Sequence, residues 1–385
     1  MIFINYIFYL FIQSLLLGLL IIVFLIFKGN IERLCIIALT LITVGIFKNS
    51  KFKFNYTPWV LGGLVIGYIL GNVLLYYSLM AYTEGAAKKE DINEEKLSKP
   101  AVIMFYGGEP PTFDLSVTLK NIYNDKSIIK RINAPIETFK TKMAYENLGS
   151  SKNIDLSSRV KDDLQSRLGG DYDVYLSYFN ISPTVYEEVK RLGKAYEKLI
   201  LVPLILTESQ EYREFKKYIE ERVENDDIDI KVIPLLWSSQ KLCRQITERS
   251  RALIGEGNVN STGVILLISN GDSIYEQSIF SNYILGKMQK LKFDKDKIIS
   301  LKYDDNDELF LSSINRLRER GAHNIQIISI SKFHEDIEVQ NRINKLIKKA
   351  SRKGFVDIQY INGWGIGENL LNEIEYKVRL ENLKS

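Results

Sequence analysis

Two long stretches without a charged residue, 5–27 and 58–81, constrain this chain more than anything else in it. Each is mostly apolar and long enough to cross a hydrocarbon layer as a helix, which takes about 20 residues. Between them, residues 34–47 are equally apolar but shorter, so this segment is either a third span or an interfacial one. No lysine or arginine precedes the first stretch and no small-residue cleavage pattern follows it at Lys28-Gly29-Asn30, so retention is expected rather than removal as a signal peptide. Lys28 and Arg33 flank the first gap, Lys48, Lys51 and Lys53 occupy the second, and Lys88 and Lys89 follow the last stretch. Three spans would place Lys28, Arg33 and the rest of the chain on one side, and the expectation is a cell-membrane protein whose soluble part is cytoplasmic.

Past a polar linker at 83–100 the pattern changes to short apolar runs alternating with amphipathic segments. Strands are expected at 101–105, 173–178, 199–206 and 228–235, with helices at 157–168, from Ser182 or Pro183 to 194, and at 210–224. A glycine-rich polar stretch at 254–262 marks a boundary. Beyond it the arrangement repeats, with strands at 263–269, 298–303, 324–331 and 355–360 and helices at 277–291, 307–319, 340–351 and 368–383. Such alternation favours buried strands covered by helices over a sandwich or a helical bundle. The expected organisation is a membrane anchor at 1–82, the linker, and two similar α/β domains of Rossmann type at 101–255 and 262–385, facing a cleft, with the final helix packing back on the first domain.

Charge and cysteine narrow the function. A net charge of +4 over 385 residues, with acids and bases interleaved, leaves no electrostatic footprint for nucleic acid. Cys35 lies in the apolar region and Cys243 far from it, so no disulfide framework is expected and a buried structural role suits Cys243. No nucleotide-phosphate loop or dinucleotide fingerprint is present, and Gly107-Gly108 serve either a ligand's close approach or a strand-to-helix turn.

The most chemical segment is Phe333-His334-Glu335-Asp336-Ile337-Glu338, which holds one of only two histidines. His334 and Glu338 are four apart and share a face if a helix starts there, making a candidate metal or proton-transfer pair with Asp336 between them. Each has a plainer alternative, since Asp336 and Glu338 suit the first turn of a helix and His334 a surface or capping position. His323, in Gly-Ala-His-Asn, reads as a turn residue.

Taken in order, these pieces resemble the ferrochelatase and sirohydrochlorin cobalt-chelatase superfamily over residues 99–378. Ala101 to Pro110, with Gly108 and Pro110, is similar to the family's first strand and turn. The loop Tyr145 to Lys152, the strand end Tyr175-Leu-Ser-Tyr178 with Ser182-Pro183, and Leu201 to Ser209 resemble elements around its tetrapyrrole cleft. Gly263 to Gly271 resembles the strand that ordinarily ends in a serine and a catalytic histidine, but Asn270 and Gly271 stand where the histidine would. Ile328 to Glu338 resembles the segment ending in histidine, a branched apolar residue and glutamate, with Asp336 at the histidine position and His334 two residues earlier. Gly354 to Asn362 is similar to the last strand and its asparagine.

The resemblance implies a membrane-anchored, chelatase-like protein that binds a tetrapyrrole and, if an enzyme, a lyase of ferrochelatase or cobalt-chelatase type. Iron, cobalt, nickel or zinc would be a substrate, with no tightly bound cofactor. Glu338 would handle protons with His334 as auxiliary base. His334, Asp336 and Glu338 would be the metal ligands, while Gly108, Tyr145, Tyr178, Ser269 and Asn270 would contact the macrocycle. Partners would be the lipid bilayer and a heme or cobalamin pathway protein. Loss of the family histidine leaves a second reading open, a noncatalytic membrane scaffold on a degenerate chelatase fold.

Overall fold

Apolar runs too short for a helix become strands, and those in the interior of a parallel sheet are buried on both faces. In the computed structural model, which describes residues 2–27, 29–49, 57–83, 96–125, 127–225, 228–269, 273–303, 306–352 and 357–384, eight such strands form two four-stranded parallel sheets. Contacts divide the chain into two units, Met1–Glu90 with Thr112–Ser150, and Asp91–Pro111 with Ser151–Ser385. Both sheets belong to the second unit, and residues 112–150 group with the apolar helices rather than with the sheet they follow in sequence.

The first unit is all helical: α1 (Ile2–Ile26), α2 (Asn30–Asn49), α3 (Thr57–Thr83), α4 (Leu115–Asn124), α5 (Ile128–Ile132) and α6 (Ala134–Leu148). Among the described residues two stretches, Tyr6–Ile26 and Thr57–Tyr77, are long and apolar enough to cross a membrane. Small residues let α1 and α3 run side by side in parallel. A Cβ on Gly67 would stand 2.2 Å from the Leu15 carbonyl oxygen, one on Gly18 2.5 Å from that of Leu64, and one on Gly63 2.1 Å from the Ser14 hydroxyl. Gly63, Gly67 and Gly71 thus make a glycine every fourth residue, the spacing that brings helix backbones together in lipid. Lys142 of α6 is buried; its Nζ donates to the Phe27 carbonyl at 2.6 Å and lies 3.5 Å from Glu32. A cation there satisfies the carbonyl end of α1.

In the second unit, sheet order is β2-β1-β3-β4, with β1 (Ala101–Tyr106), β2 (Asp173–Tyr178), β3 (Lys198–Pro203) and β4 (Asp229–Val232). The other sheet, β6-β5-β7-β8, consists of β5 (Thr262–Ser269), β6 (Ile298–Tyr303), β7 (Asn324–Ser329) and β8 (Asp357–Ile361). Their covering helices are α7 (Asn153–Leu168), α8 (Val185–Ala195), α9 (Gln210–Asn225), α10 (Gln240–Ile254), α11 (Ile274–Lys290), α12 (Asp307–Glu319), α13 (Ile337–Ser351) and α14 (Glu368–Leu383). Ile103 and Phe105 pack with Val189 and Phe215 in one core, and Ile265 and Ile327 with Phe310, Ile314 and Ile343 in the other. Thr184 begins α8 with a capping box to Glu187, one to two residues beyond the predicted start. Helix α10, unassigned in the sequence reading, carries buried Gln245, whose Nε2 donates to the carbonyls of Trp364 and Gly365, both at 3.1 Å, and whose Oε1 accepts from Leu370 N–H. Helix α14 then lies on the first sheet, where Lys377 Nζ donates to Pro234 and Leu235 carbonyls at 3.1 Å.

Candidate functional site

Each sheet changes strand order at its middle, between β1 and β3 and between β5 and β7, and ligands of such folds bind outside the carboxyl ends of the strands at these points. A cleft of about 320 Å³ opens there, lined from the first half by Tyr106 to Gly108, Phe179, Asn180 and Leu204, and from the second by Ser331 to His334 and Asp336. Its volume sits at the small end for a ligand pocket. The bridge between Ile205 and Lys332 joins the loops across it.

Gly108 has φ +75°, and a Cβ on it would meet the Tyr178 ring 2.5 Å away, so the turn after β1 requires glycine on both counts. The turn delivers Glu109. Its Oε1 accepts from Ser151 Oγ at 2.5 Å and Asn153 Nδ2 at 3.2 Å, and its Oε2 accepts the first N–H of α13, from Ile337, at 3.0 Å. Burial first, and then the Asp336 charge, push this carboxyl up to about 7, against the opposing pull of those three donors. Asp336 is paired with Lys332.

His334 is held on both ring nitrogens. Its Nδ1 donates to the Glu335 carbonyl at 3.1 Å, and its Nε2 accepts from Asn362 Nδ2 at 3.1 Å. Asn362 Oδ1 in turn accepts Glu335 N–H at 2.8 Å. Burial lowers the His334 pKa, outweighing the Glu335 carbonyl and Asp336, which favours the uncharged ring, and the two partners set its proton on Nδ1. Phe333 is buried behind it, edge-on to Tyr106 at 5.9 Å and to Trp364 at 5.8 Å. The Tyr106 hydroxyl donates to the Asn153 carbonyl at 2.8 Å, and burial raises its pKa.

The predicted site residues separate into groups. Gly108, His334 and Asp336 line the cleft, with Tyr178 behind Gly108 and edge-on to Tyr106 at 5.4 Å. Glu338 is exposed on the first turn of α13, and it is Glu335, buried and bonded to Ser329, that faces inward. Tyr145 belongs to the helical unit, where it packs edge-on to Phe113 at 6.2 Å. Ser269 ends β5, and Asn270 lies outside the described residues. Among the described residues no three His, Cys, Asp or Glu side chains gather as metal ligands, so His334, Asp336 and Glu338 do not form such a set. Glu109, three residues past the end of β1, is a site residue that the sequence does not single out.

No known family's sequence profile matches the chain. A curated ferrochelatase from Thermoplasma acidophilum is 28% identical over 114 residues, 29% of this chain and 35% of the relative, so the match spans about a third of that protein. Among solved structures, the sirohydrochlorin chelatase SirB of Bacillus subtilis in complex with cobalt is similar at a TM-score of 0.47 and 11% identity, over 73% of this chain and 94% of that one. The multi-domain protein DR2241 of Deinococcus radiodurans, described as structurally similar to chelatases, reaches 0.49 at 11% identity over 75% and 56%.

Proposed function

We propose that the cleft takes a tetrapyrrole and that the chain inserts a divalent metal into it beside a membrane in which α1 and α3 are anchored. The carrying observation is Glu109, a half-buried carboxyl raised to about 7 in the turn after β1, whose Oε2 accepts the Ile337 N–H beside the cleft-lining Asp336. The 28% match to a ferrochelatase supports the same reading. Entry of a divalent cation into the macrocycle releases two pyrrole N–H protons, and a base poised near the working pH accepts a proton most effectively. Ionised Glu109 takes one proton. His334 Nε2 takes the other once the Asn362 amide releases it, while its Nδ1–H keeps donating to the Glu335 carbonyl. Asp336 lines the same cleft as an ion pair with Lys332.

A second reading keeps the fold without the reaction. Its support is that Glu109 already accepts three hydrogen bonds, one of them from the far side of the cleft, as a purely structural tie would. The full chain in detergent, supplied with porphyrins or sirohydrochlorin and with iron, cobalt, nickel or zinc, separates the two by the absorption change of metal insertion. Insertion lost in Glu109→Gln with binding retained is expected. Saturable binding without insertion in the native chain overturns the enzyme, and absence of both leaves a membrane scaffold.

A further inference from the structure

The short helix α5 and the start of α6 expose isoleucines that water should not see. Ile128 and Ile129 are 70% and 71% exposed, Ile132 58% and Ile136 42%. They cluster within nine residues of a single segment, 112–150, that groups with the apolar helices.

The place where α5 is fixed says what covers them. Its C-terminal carbonyl, on Ile132, accepts from Asn72 Nδ2 at 2.7 Å and Tyr68 Oη at 3.2 Å, both on α3. The Tyr123 hydroxyl, near the end of α4, donates to the same Asn72, to its carbonyl at 3.3 Å and its Oδ1 at 3.2 Å. Asn72 and Tyr68 stand five and nine residues inside the Tyr77 end of the apolar stretch Thr57–Tyr77. At ~1.5 Å per residue the end of α5 is therefore pinned roughly 7–14 Å below that end. At the other end of the same helical excursion, Lys142 of α6 reaches the Phe27 carbonyl, just past the end of the apolar stretch Tyr6–Ile26. The α4–α5–α6 segment thus descends alongside α3, turns at α5, and climbs back to the end of α1. The charges at the turn are handled locally, since Lys130 pairs with Asp125 at 2.6 Å and Arg131 Nε donates to the Asp125 carbonyl at 2.7 Å. Their long stems can carry the remaining polarity toward the headgroups.

We propose that residues 112–150 are a re-entrant membrane hairpin, with Ile128, Ile129, Ile132 and Ile136 in contact with the acyl chains of the leaflet at the C-terminal ends of α1 and α3. The backbone of such an excursion is tolerable in lipid because it is helical and its loose carbonyl is satisfied by Asn72 and Tyr68. The inference rests on the reading of α1 and α3 as membrane spans.

The test uses the full chain in lipid vesicles with single fluorophores on Ile129→Cys, Leu74→Cys and Leu253→Cys. Native Cys35 and Cys243 are buried, and Leu74 and Leu253 are exposed on α3 and α10. Label at 129 is expected to lose fluorescence to lipids spin-labelled near the glycerol as strongly as label at 74 does, and to resist aqueous iodide, while label at 253 shows the opposite. Quenching at 74 by lipid but at 129 by iodide overturns the hairpin and leaves the spans intact. Iodide quenching at both overturns the spans and the hairpin together.

Discussion

Burial and the neighbouring Asp336 push the Glu109 carboxyl up to about 7, while Ser151, Asn153 and the Ile337 N–H pull it down. A carboxyl whose folded-state value is raised binds its proton more tightly in the folded chain. The stability it adds is full below its ordinary value of 4.5 and is lost as pH rises through about 7. Glu109→Gln removes that loss, so the variant should melt at least as high as the native chain at pH 8, with a gain of at most on the order of 3 kcal/mol relative to pH 4. Melting curves at the two pH values check this, and a variant that loses stability equally at both would mark Glu109 as a structural tie alone. Ser151→Ala removes a donor that favours the ionised form, so the rise of metal insertion with pH should move in the alkaline direction. A profile that stays in place would show that some other group titrates. Sequence could point to the neighbourhood of this site but not to its acid. In Gly-Gly-Glu-Pro-Pro the glycines drew attention because turns need them, whereas Glu109 is perturbed by burial and by Asp336 and held by Ser151, Asn153 and Ile337, the last 228 positions away. Glu338 shows the converse, since α13 starts with Ile337 facing inward and leaves its neighbour in solvent.

Elements are held by contacts of two kinds, steric in the apolar pair and polar in the excursion beside it. Gly67 sits where any side chain meets the Leu15 carbonyl, so Gly67→Leu should force α1 and α3 apart. The expected cost is about 1–3 kcal/mol, seen as a lower melting temperature in detergent, whereas the same change at Gly62, which has open space around it, should be silent. Equal effects at 62 and 67 would mean that the glycine spacing does not set the approach. Asn72→Leu strips Ile132 of its shorter donor and should raise amide exchange across 128–132 while sparing the sheets. The glycine interval at 63, 67 and 71 was readable in the sequence. Apolar length alone, however, answers how many segments could span and not which two touch. Residues 34–47, ambiguous by length, are helical within α2.

At the scale of the whole chain, the strands were legible because parallel sheets demand continuous apolar runs, and β2, β6 and the start of β7 fall where those runs predict. The allocation of 112–150 was not legible, since its helices pack on partners distant in sequence and carry no single apolar stripe that assigns them to either unit. One consequence is that the sheet-bearing unit cannot be isolated by cutting at the polar linker. Removing residues 1–90 alone would leave α4 to α6 without α1 and α3, exposing the isoleucines of α5 along with the faces that met those helices, a surface prone to association. The excursion leaves and rejoins the second unit at one point, however, because Ser151 N–H donates to the Pro111 carbonyl at 2.9 Å. Two chain ends that close can be joined by a short flexible turn without disturbing the sheet. A chain beginning at Asp91 with 112–150 replaced by a Gly-Ser turn should therefore be monomeric in gel filtration and melt cooperatively, while the simple truncation at 90 aggregates. If both are soluble monomers, α4 to α6 do not depend on the apolar helices. If both aggregate, the two sheets do not make a self-sufficient unit. With the expected split, the shortened chain also offers the cleft alone for titration, because Glu109 keeps Ser151, Asn153 and Ile337.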